Sequence, residues 1–269
     1  TRNIIGRKQI DFDFQEVQFI RPESLIMLVT MALDIHRCGQ QVVHWRNVRR
    51  EICSYLDRME INELSFIHLE HPFLYTKRKY NESPVLVELT SVTTPIQLGK
   101  AILHTKQILR DSFPEKPHII HQSLTTLIKE TVENSIEHSV DSNNSSSSAG
   151  ICYYALQKYK HSDGSTEIVI VVADAGVGML ASQRKVYPET KDDVDAIVNC
   201  IIHSRTGRLS GKGGMGFANI KSALEPLNGE LVIRSGKCHG SYLAQKHSIR
   251  VYRHTTSFPG TQIMFQCRA

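Results

Sequence analysis

The fold is decided by the stretch ETVENSIEH at residues 130–138, in which two patterns share one predicted helix. Apolar residues recur at every fourth position from Ile128 to Ile136 and predict a ridge that packs against a core. Three polar residues share the same spacing on another face: Glu130, Asn134 and His138. Because they are displaced by two residues, they lie about 200° around the helix from the ridge. They form either a solvent-facing polar stripe or one wall of a site.

A second stretch, DAGVG at residues 174–178, follows a predicted buried strand at 168–173. A carboxylate such as Asp174 at the end of an apolar strand requires a partner, because burying it alone is costly. Gly176 and Gly178 allow the backbone to approach a flat ligand closely. Asp174 is therefore a candidate acceptor for the amine of a nucleobase. A simple strand-to-loop turn is the alternative, since Asp and Gly are common turn residues.

A third stretch, GKGGMG at residues 211–216, opens a helix predicted at 215–227. It matches the dinucleotide fingerprint GxGxxG, but that fingerprint must follow a strand, and the segment before it is polar and irregular. A P-loop is excluded because Lys212 is followed by glycine rather than by Ser or Thr. A glycine loop at the start of a helix still offers free N–H groups and a positive dipole end to phosphate.

In this order, the three stretches resemble the N, G1 and G2 boxes of the GHKL ATP-binding superfamily. Gly260-Thr261 resembles the last box, and the similarity covers roughly residues 117–269. The spacing Glu-x-x-x-Asn-x-x-x-His is similar to that of the bacterial anti-sigma-factor and switch-kinase branch. The resemblance implies a histidine kinase-like (Bergerat) α/β sandwich with ATP and Mg²⁺ as cofactors.

The resemblance also implies a role for each matching position. Asn134 would ligate Mg²⁺, Glu130 would activate the attacking water or hydroxyl, and Asp174 would recognise the adenine amine. Thr261 would support Asp174, while Gly176 and Gly178 would admit the base. The glycines implied to close over the phosphates are Gly211, Gly213, Gly214 and Gly216. The cations implied to approach the terminal phosphate are Arg205, Arg208 and Lys212.

The first part of the chain predicts strand, helix, strand, helix, strand. The strands are expected at 15–20, 41–45 and 85–89, and the helices at 23–36 and 48–59. Alternation of this kind implies parallel pairing. Its outline resembles the STAS fold of anti-sigma-factor antagonists, although Pro22 and Glu23 occupy the neighbourhood of that family's phosphorylatable serine. An unrelated α/β unit is the alternative.

A domain boundary is expected near residues 111–117, where two prolines and several charges interrupt any periodicity. The predicted organisation is therefore a STAS-like α/β interaction domain at 1–112 and a GHKL ATP-binding domain at 113–269, an α+β chain overall. The second domain is expected to hold a mostly antiparallel sheet. Its strands are predicted at 151–160, 167–173, 231–235, 248–254 and 262–266.

Composition narrows the class of protein. The 269 residues carry a formal net charge of +5 with basic and acidic residues mixed, so nucleic-acid binding is not expected. No apolar run reaches the ~20 residues of a membrane span and no signal-peptide core is present, so we expect a cytoplasmic location. Six scattered cysteines predict reduced thiols. The histidine pairs at 68/71 and 118/121 lack a third ligand at recognisable spacing, so no metal site is predicted from them.

Together these features predict an ATP-binding regulatory protein that hydrolyses ATP slowly or transfers its γ-phosphate to a protein partner. The presence of Glu130 favours catalysis over binding alone, because general base catalysis requires a carboxylate near the nucleophile. The alternative is an ATP-gated protein-interaction switch without significant catalysis. A homodimer is possible, since several members of the superfamily dimerise on ATP.

Overall fold

The computed structural model describes residues 9–39, 41–70, 85–138, 150–205 and 216–268. The first elements along the chain are β1 (Ile10–Asp13), α1 (Pro22–Gly39), β2 (Val43–Arg46), α2 (Arg50–Arg58), β3 (Ile67–Leu69), β4 (Val85–Val92) and α3 (Pro95–Ser112). They are followed by α4 (His118–His138), β5 (Cys152–Lys160), β6 (Thr166–Asp174), α5 (Gly178–Arg184), α6 (Asp193–His203), α7 (Gly216–Leu224), β7 (Glu230–Leu243) and β8 (Ser248–Arg268).

Within these ranges the strands form two sheets. The larger sheet has five strands in the order β4-β5-β6-β8-β7, and every pairing is antiparallel. The smaller sheet has three parallel strands in the order β1-β2-β3. The α+β class and the antiparallel sheet are thus confirmed, and a parallel sheet is present, although of its three strands only β2 overlaps a strand predicted there. The assignment of the sheets to GHKL and STAS domains stays a prediction.

The central strands of the larger sheet bury both of their faces. In β6, Ile168, Ile170 and Val172 point to a core shared with α4, α6 and α7. The residues between them, such as Val169 and Val171, point to a second core on the opposite face. Because successive side chains alternate across a strand, a run without polar interruption is what two covered faces require.

Helix α1 covers the second face of the larger sheet. Its buried residues, among them Leu25, Ile26 and Val29, belong to the same core as Val169 and Val171. The smaller sheet and α2 complete that core around the fully buried Trp45. The molecule is therefore layered: helices, antiparallel sheet, then α1 with the parallel sheet and α2.

Several predicted elements of the first part differ from the observed ones. The segment 15–20 is not a strand; the first strand is β1, and Phe19 is 67% exposed. The third parallel strand is β3 rather than the segment 85–89, which forms β4 and pairs with β5 instead. Helix α3 packs on α4 and contributes Leu98 and Leu109 to the core on the helical side. Strand β4 and helix α3, which were expected in the first domain, therefore belong to the larger sheet and to the core on its helical side.

The second part holds most of the predicted elements, with three differences. The sequence predicts an irregular stretch at 179–213 that contains one helix, at 192–203; the stretch instead begins with a further helix, α5. Thr190 was expected to cap the predicted helix, but helix α6 is capped by Asp192, whose carboxylate accepts from the main-chain N–H of Asp195. The segments predicted separately at 248–254 and 262–266 form one long strand, β8.

The cysteines are free; five are buried and Cys38 is exposed. Among the helices in the described ranges, none combines the length and the apolar composition that crossing a bilayer requires.

Candidate functional site

A small cavity lies where α4, the end of β6, α5 and the start of α7 meet. Four residues singled out from the sequence line it: Asn134, Asp174, Gly178 and Thr261. Its other lining residues are Ser135, Met179, Ser182, Gln183, Cys200, Phe217 and Ile263. The volume is about 50 Å³, room for one or two water molecules. A nucleobase therefore enters only if lining side chains such as Met179 and Phe217 move aside.

Asp174 is the charged centre of this cavity. It ends β6, stands opposite Thr261 of β8 in the strand register, and is 5% exposed. Burial raises the pKa of its carboxyl to about 7, against the opposing effect of hydrogen bonds from the Gly176 N–H, the Ser135 hydroxyl and the Thr261 N–H. The Gly176 N–H donates to Oδ1 at 2.9 Å. The carboxyl is therefore protonated more readily than an exposed aspartate, and its ionised form is an acceptor for a donor that enters the cavity.

Two glycines allow the chain to close tightly behind Asp174. Gly260 has φ +77°, and a Cβ atom there would lie 2.7 Å from the Gly176 nitrogen and closer still to the Asp174 carbonyl oxygen. Gly178 also has φ +77°, and its missing Cβ would meet the Ser235 hydroxyl at 3.1 Å. Both positions combine a left-handed backbone with close packing, so only glycine fits without strain.

Ser235 of β7 fastens these segments together. Its hydroxyl donates to the Gly260 carbonyl at 2.9 Å and accepts from the Met179 N–H at 2.9 Å. Its side chain is 1% exposed, so both hydrogen bonds are protected from water. The Ser235 hydroxyl therefore connects the start of α5 with the turn before Thr261.

Glu130 and Asn134 lie one turn apart on α4, and α7 begins directly against them. A Cβ atom on Gly216 would lie 3.2 Å from Asn134 Nδ2 and 3.5 Å from Glu130 Oε2, so glycine permits this approach. Asn219 of α7 donates from Nδ2 to Glu130 Oε1 at 3.0 Å. The first turn of α7 thereby holds the Glu130 carboxylate in place.

The Asn134 amide fits a metal ligand. Asn134 is 9% exposed, and Nδ2 is buried without a hydrogen-bond partner among the described residues. An orphaned buried amide is costly and rare in folded proteins. The nitrogen and oxygen of an amide are assigned from its neighbours, so the side chain can turn its oxygen into the cavity. Mg²⁺ prefers oxygen ligands, and a carboxylate lies one turn away.

Cys200 also lines the cavity. Burial raises the pKa of its thiol to about 12, and the Gln183 amide contacts the sulfur at 3.4 Å. The thiolate, which is the nucleophilic form of cysteine, is therefore disfavoured at this position.

The remaining predicted site residues are distributed differently. Gly176 lies in the turn after Asp174 and lines a second cavity of about 510 Å³ behind it. The Cζ atom of Arg205 lies 4.9 Å from the Tyr187 ring centroid, and its Nη1 lies 3.4 Å from a Glu189 carboxylate oxygen. The following predicted residues lie outside the described residues, as does the side chain of His138: Arg208, Gly211, Lys212, Gly213 and Gly214.

Arg37 of α1 reaches the site from the opposite face of the sheet. Its Nη1 donates to the Ala175 carbonyl at 3.1 Å, one residue beyond Asp174. Its positive charge also lowers the pKa of the Asp174 carboxyl, opposing the effect of burial. The turn after Asp174 is therefore supported by a residue from the first part of the chain.

Sequence reasoning missed Arg37, Ser135, Asn219 and Ser235. A local signal exists only for Asn219, which stands three residues after Gly216 and so faces the same side of α7. Ser135 follows Asn134 directly but reaches Asp174 only because α4 crosses the end of β6. No protein-family model matches this chain, and a search of curated proteins finds no match either.

Proposed function

We propose that this protein binds ATP with Mg²⁺ in the cavity around Asp174, and that it hydrolyses ATP slowly or transfers the γ-phosphate to a protein partner. One observation carries the proposal. Asn134, Asp174, Gly178 and Thr261, which come from three separate stretches of sequence, line one cavity with a buried carboxylate at its centre. The resemblance of those same stretches to the GHKL boxes supplies the identity of the ligand.

The recognition of the base rests on Asp174. An ionised carboxylate held by the Gly176 N–H has a second oxygen with which to accept from an exocyclic amine. The cavity wall is mainly apolar, as expected around an aromatic ring, while Phe217 and Met179 are the side chains that would make way for it.

The chemistry rests on Glu130 and Asn134. Asn134 Oδ1 would hold the Mg²⁺ ion, which when bound offsets the negative charge of the phosphates. Glu130 Oε2 would accept the proton of the attacking water or hydroxyl. The hydrogen bond from Asn219 to the other oxygen, Oε1, fixes the direction in which Glu130 points. A carboxylate with one oxygen held by an orienting donor and the other without a hydrogen bond from the described residues suits a general base.

The experiment measures binding and turnover separately on the intact chain. Calorimetry with MgATP and with a non-hydrolysable analogue gives affinity, and phosphate release gives turnover. We expect Asp174→Ala to lose binding, Asn134→Ala to weaken binding only when Mg²⁺ is present, and Glu130→Ala to bind while losing turnover. Glu137→Ala is the matched control, because this exposed residue lies on α4 and faces the groove toward α3.

Two results would overturn parts of the proposal. Absence of MgATP binding by the parent chain at millimolar concentrations would refute nucleotide binding altogether. Hydrolysis by Glu130→Ala at the rate of the parent would show that the base is wrongly assigned.

An ATP-gated switch without catalysis is a second candidate, and the contact between Arg37 and Ala175 favours it. This hydrogen bond connects the base-facing turn with α1, so a ligand that moves the turn also acts on the first part of the chain. Hydrogen exchange of α1 with and without the non-hydrolysable analogue tests it. Altered protection of α1, together with equal turnover for Glu130→Ala and the parent, would favour the switch; unchanged protection would exclude it.

A further inference from the structure

The outer face of the parallel sheet carries polar side chains in register across its three strands. Asp11 of β1 stands beside His44 of β2, and His44 stands beside His68 of β3. The residues on either side of His44, Val43 and Trp45, are fully buried on the inner face. Alternation therefore directs the histidines outward, and adjacent strands about 4.8 Å apart bring their rings together.

Two of these side chains, His44 and His68, converge with Glu70, the residue that follows β3. The ligand atoms of His44, His68 and Glu70 all lie within 4.8 Å of one another. His44 Nδ1 is 3.9 Å from Glu70 Oε1, and the His44 and His68 ring centroids are 4.9 Å apart. Tetrahedral zinc ligands at about 2.1 Å from the ion stand about 3.4 Å from one another. His68 and Glu70 are exposed, so rotation of their side chains brings the ligand atoms into that range.

His44 provides an independent reason to expect a ligand. Its Nδ1 is buried but has no hydrogen-bond partner among the described residues. A ring nitrogen without a partner loses its hydration and gains nothing in return. Coordination of a metal ion would satisfy this nitrogen.

Arg46 is the nearest competing cation. Its Nε lies 3.3 Å from Glu70 Oε1, and its Nη1 lies 3.2 Å from an oxygen of Asp11. Because Asp11 remains as a partner, Arg46 stays paired when Glu70 turns toward an ion. The Arg46 charge weakens cation binding somewhat without occupying the place of the ion.

We propose that His44, His68 and Glu70 form a site for a divalent transition-metal ion, of which Zn²⁺ is the representative. Two imidazoles and one carboxylate supply three ligands and leave a position for water or an added ligand. Of the 68/71 pair, only His68 belongs to this site; its partners are His44 of the neighbouring strand and Glu70, and His71 lies outside the described residues. The site lies on the parallel sheet, and its existence does not depend on nucleotide binding.

The test titrates the intact, untagged chain with ZnCl₂ by calorimetry. We expect one ion per chain, and at least about tenfold weaker binding for His68→Ala and for Glu70→Gln. Both are exposed positions, so these variants keep the fold, which far-UV circular dichroism verifies. His104→Ala, at an exposed histidine of α3, is the matched control and should bind as the parent does.

Titration with CoCl₂ identifies the ligand chemistry. Visible bands without sulfur-to-metal charge transfer, lost in His68→Ala, would support the site. Sulfur charge transfer abolished by Cys38→Ser would show that the exposed thiol binds the ion instead and would overturn the proposal. Equal zinc affinities for His68→Ala, His104→Ala and the parent would overturn it as well.

Discussion

Replacing Gly260 by alanine tests the close packing behind Asp174. The added Cβ would lie 2.7 Å from the Gly176 nitrogen and closer to the Asp174 carbonyl oxygen, both of them main-chain atoms that cannot rotate away. The backbone at Gly260 also has φ +77°, which an alanine adopts only with strain. The substitution thus adds two penalties at one position.

A second glycine separates these penalties. Gly164, in the hairpin between β5 and β6, has φ +82°, but a Cβ there meets nothing within 4 Å. We expect Gly164→Ala to lower the free energy of unfolding by about 1–2 kcal/mol, from the left-handed backbone alone. Gly260→Ala should add about 1–3 kcal/mol for the clash, giving about 2–5 kcal/mol. Because both changes restrict the unfolded chain equally, that contribution cancels in the comparison.

Urea unfolding provides the measurement, followed by far-UV circular dichroism and by the fluorescence of Trp45, the single tryptophan of the chain. Gly99→Ala serves as a control of opposite sign. This exposed glycine lies inside α3 with open space around it, so alanine should stabilise by about 0.5–1 kcal/mol. Equal destabilisation by Gly260→Ala and Gly164→Ala would refute the reasoning, because it would mean that the segments around Asp174 are not closely packed.

Two further predictions concern the charge of Asp174. Because the pKa in the folded protein (about 7) exceeds the ordinary 3.8, ionisation opposes folding. Stability of the parent relative to Asp174→Asn should therefore fall between about pH 4 and 7, by on the order of 4 kcal/mol; a pH-independent difference in urea unfolding would contradict this. Arg37→Met keeps the apolar stem but removes the hydrogen bond to Ala175, so it should lower the free energy of unfolding by about 1.5–3 kcal/mol. The loss should be larger at pH 8 than at pH 5, because the ionised Asp174 carboxylate then loses a favourable positive charge. Arg49→Met removes an arginine that also donates to a main-chain oxygen, that of Gln15, and should show no such dependence on pH.

The sequence predicted the elements whose burial pattern is local. Strand β6 is recognisable from its unbroken apolar run, because it buries both faces. Helix α4 is recognisable from its helical period, because one side of it stays polar. The prediction of a strand at 15–20 was wrong. The alternation of Val17 and Phe19 resembles that of a strand, but Phe19 lies in solvent. Periodicity reports which side of a segment is apolar and not whether a core is there to receive it.

The sequence alone did not show which elements that are distant in the chain pair or pack together. The alternation of β4 predicts a strand but cannot show that β5, rather than the parallel sheet, receives it. Strand β7 continues past its predicted end because Gly240 admits α6; a Cβ there would lie 2.6 Å from Ile197 Cγ2. In the candidate site, Asn134 was predicted from its spacing on a helix and Asp174 from its place at the end of an apolar strand, whereas Arg37 approaches from a helix about 140 residues away in the chain.

The layer formed by α1 limits how this chain can be divided. Tyr153, Val169 and Val171 on the back of the antiparallel sheet are dry only because α1 and its neighbours lie over them. A fragment cut at residue 113 would expose that apolar surface to solvent and would tend to aggregate. Each part of the chain therefore covers apolar surface of the other, and we expect the two parts to fold as one unit.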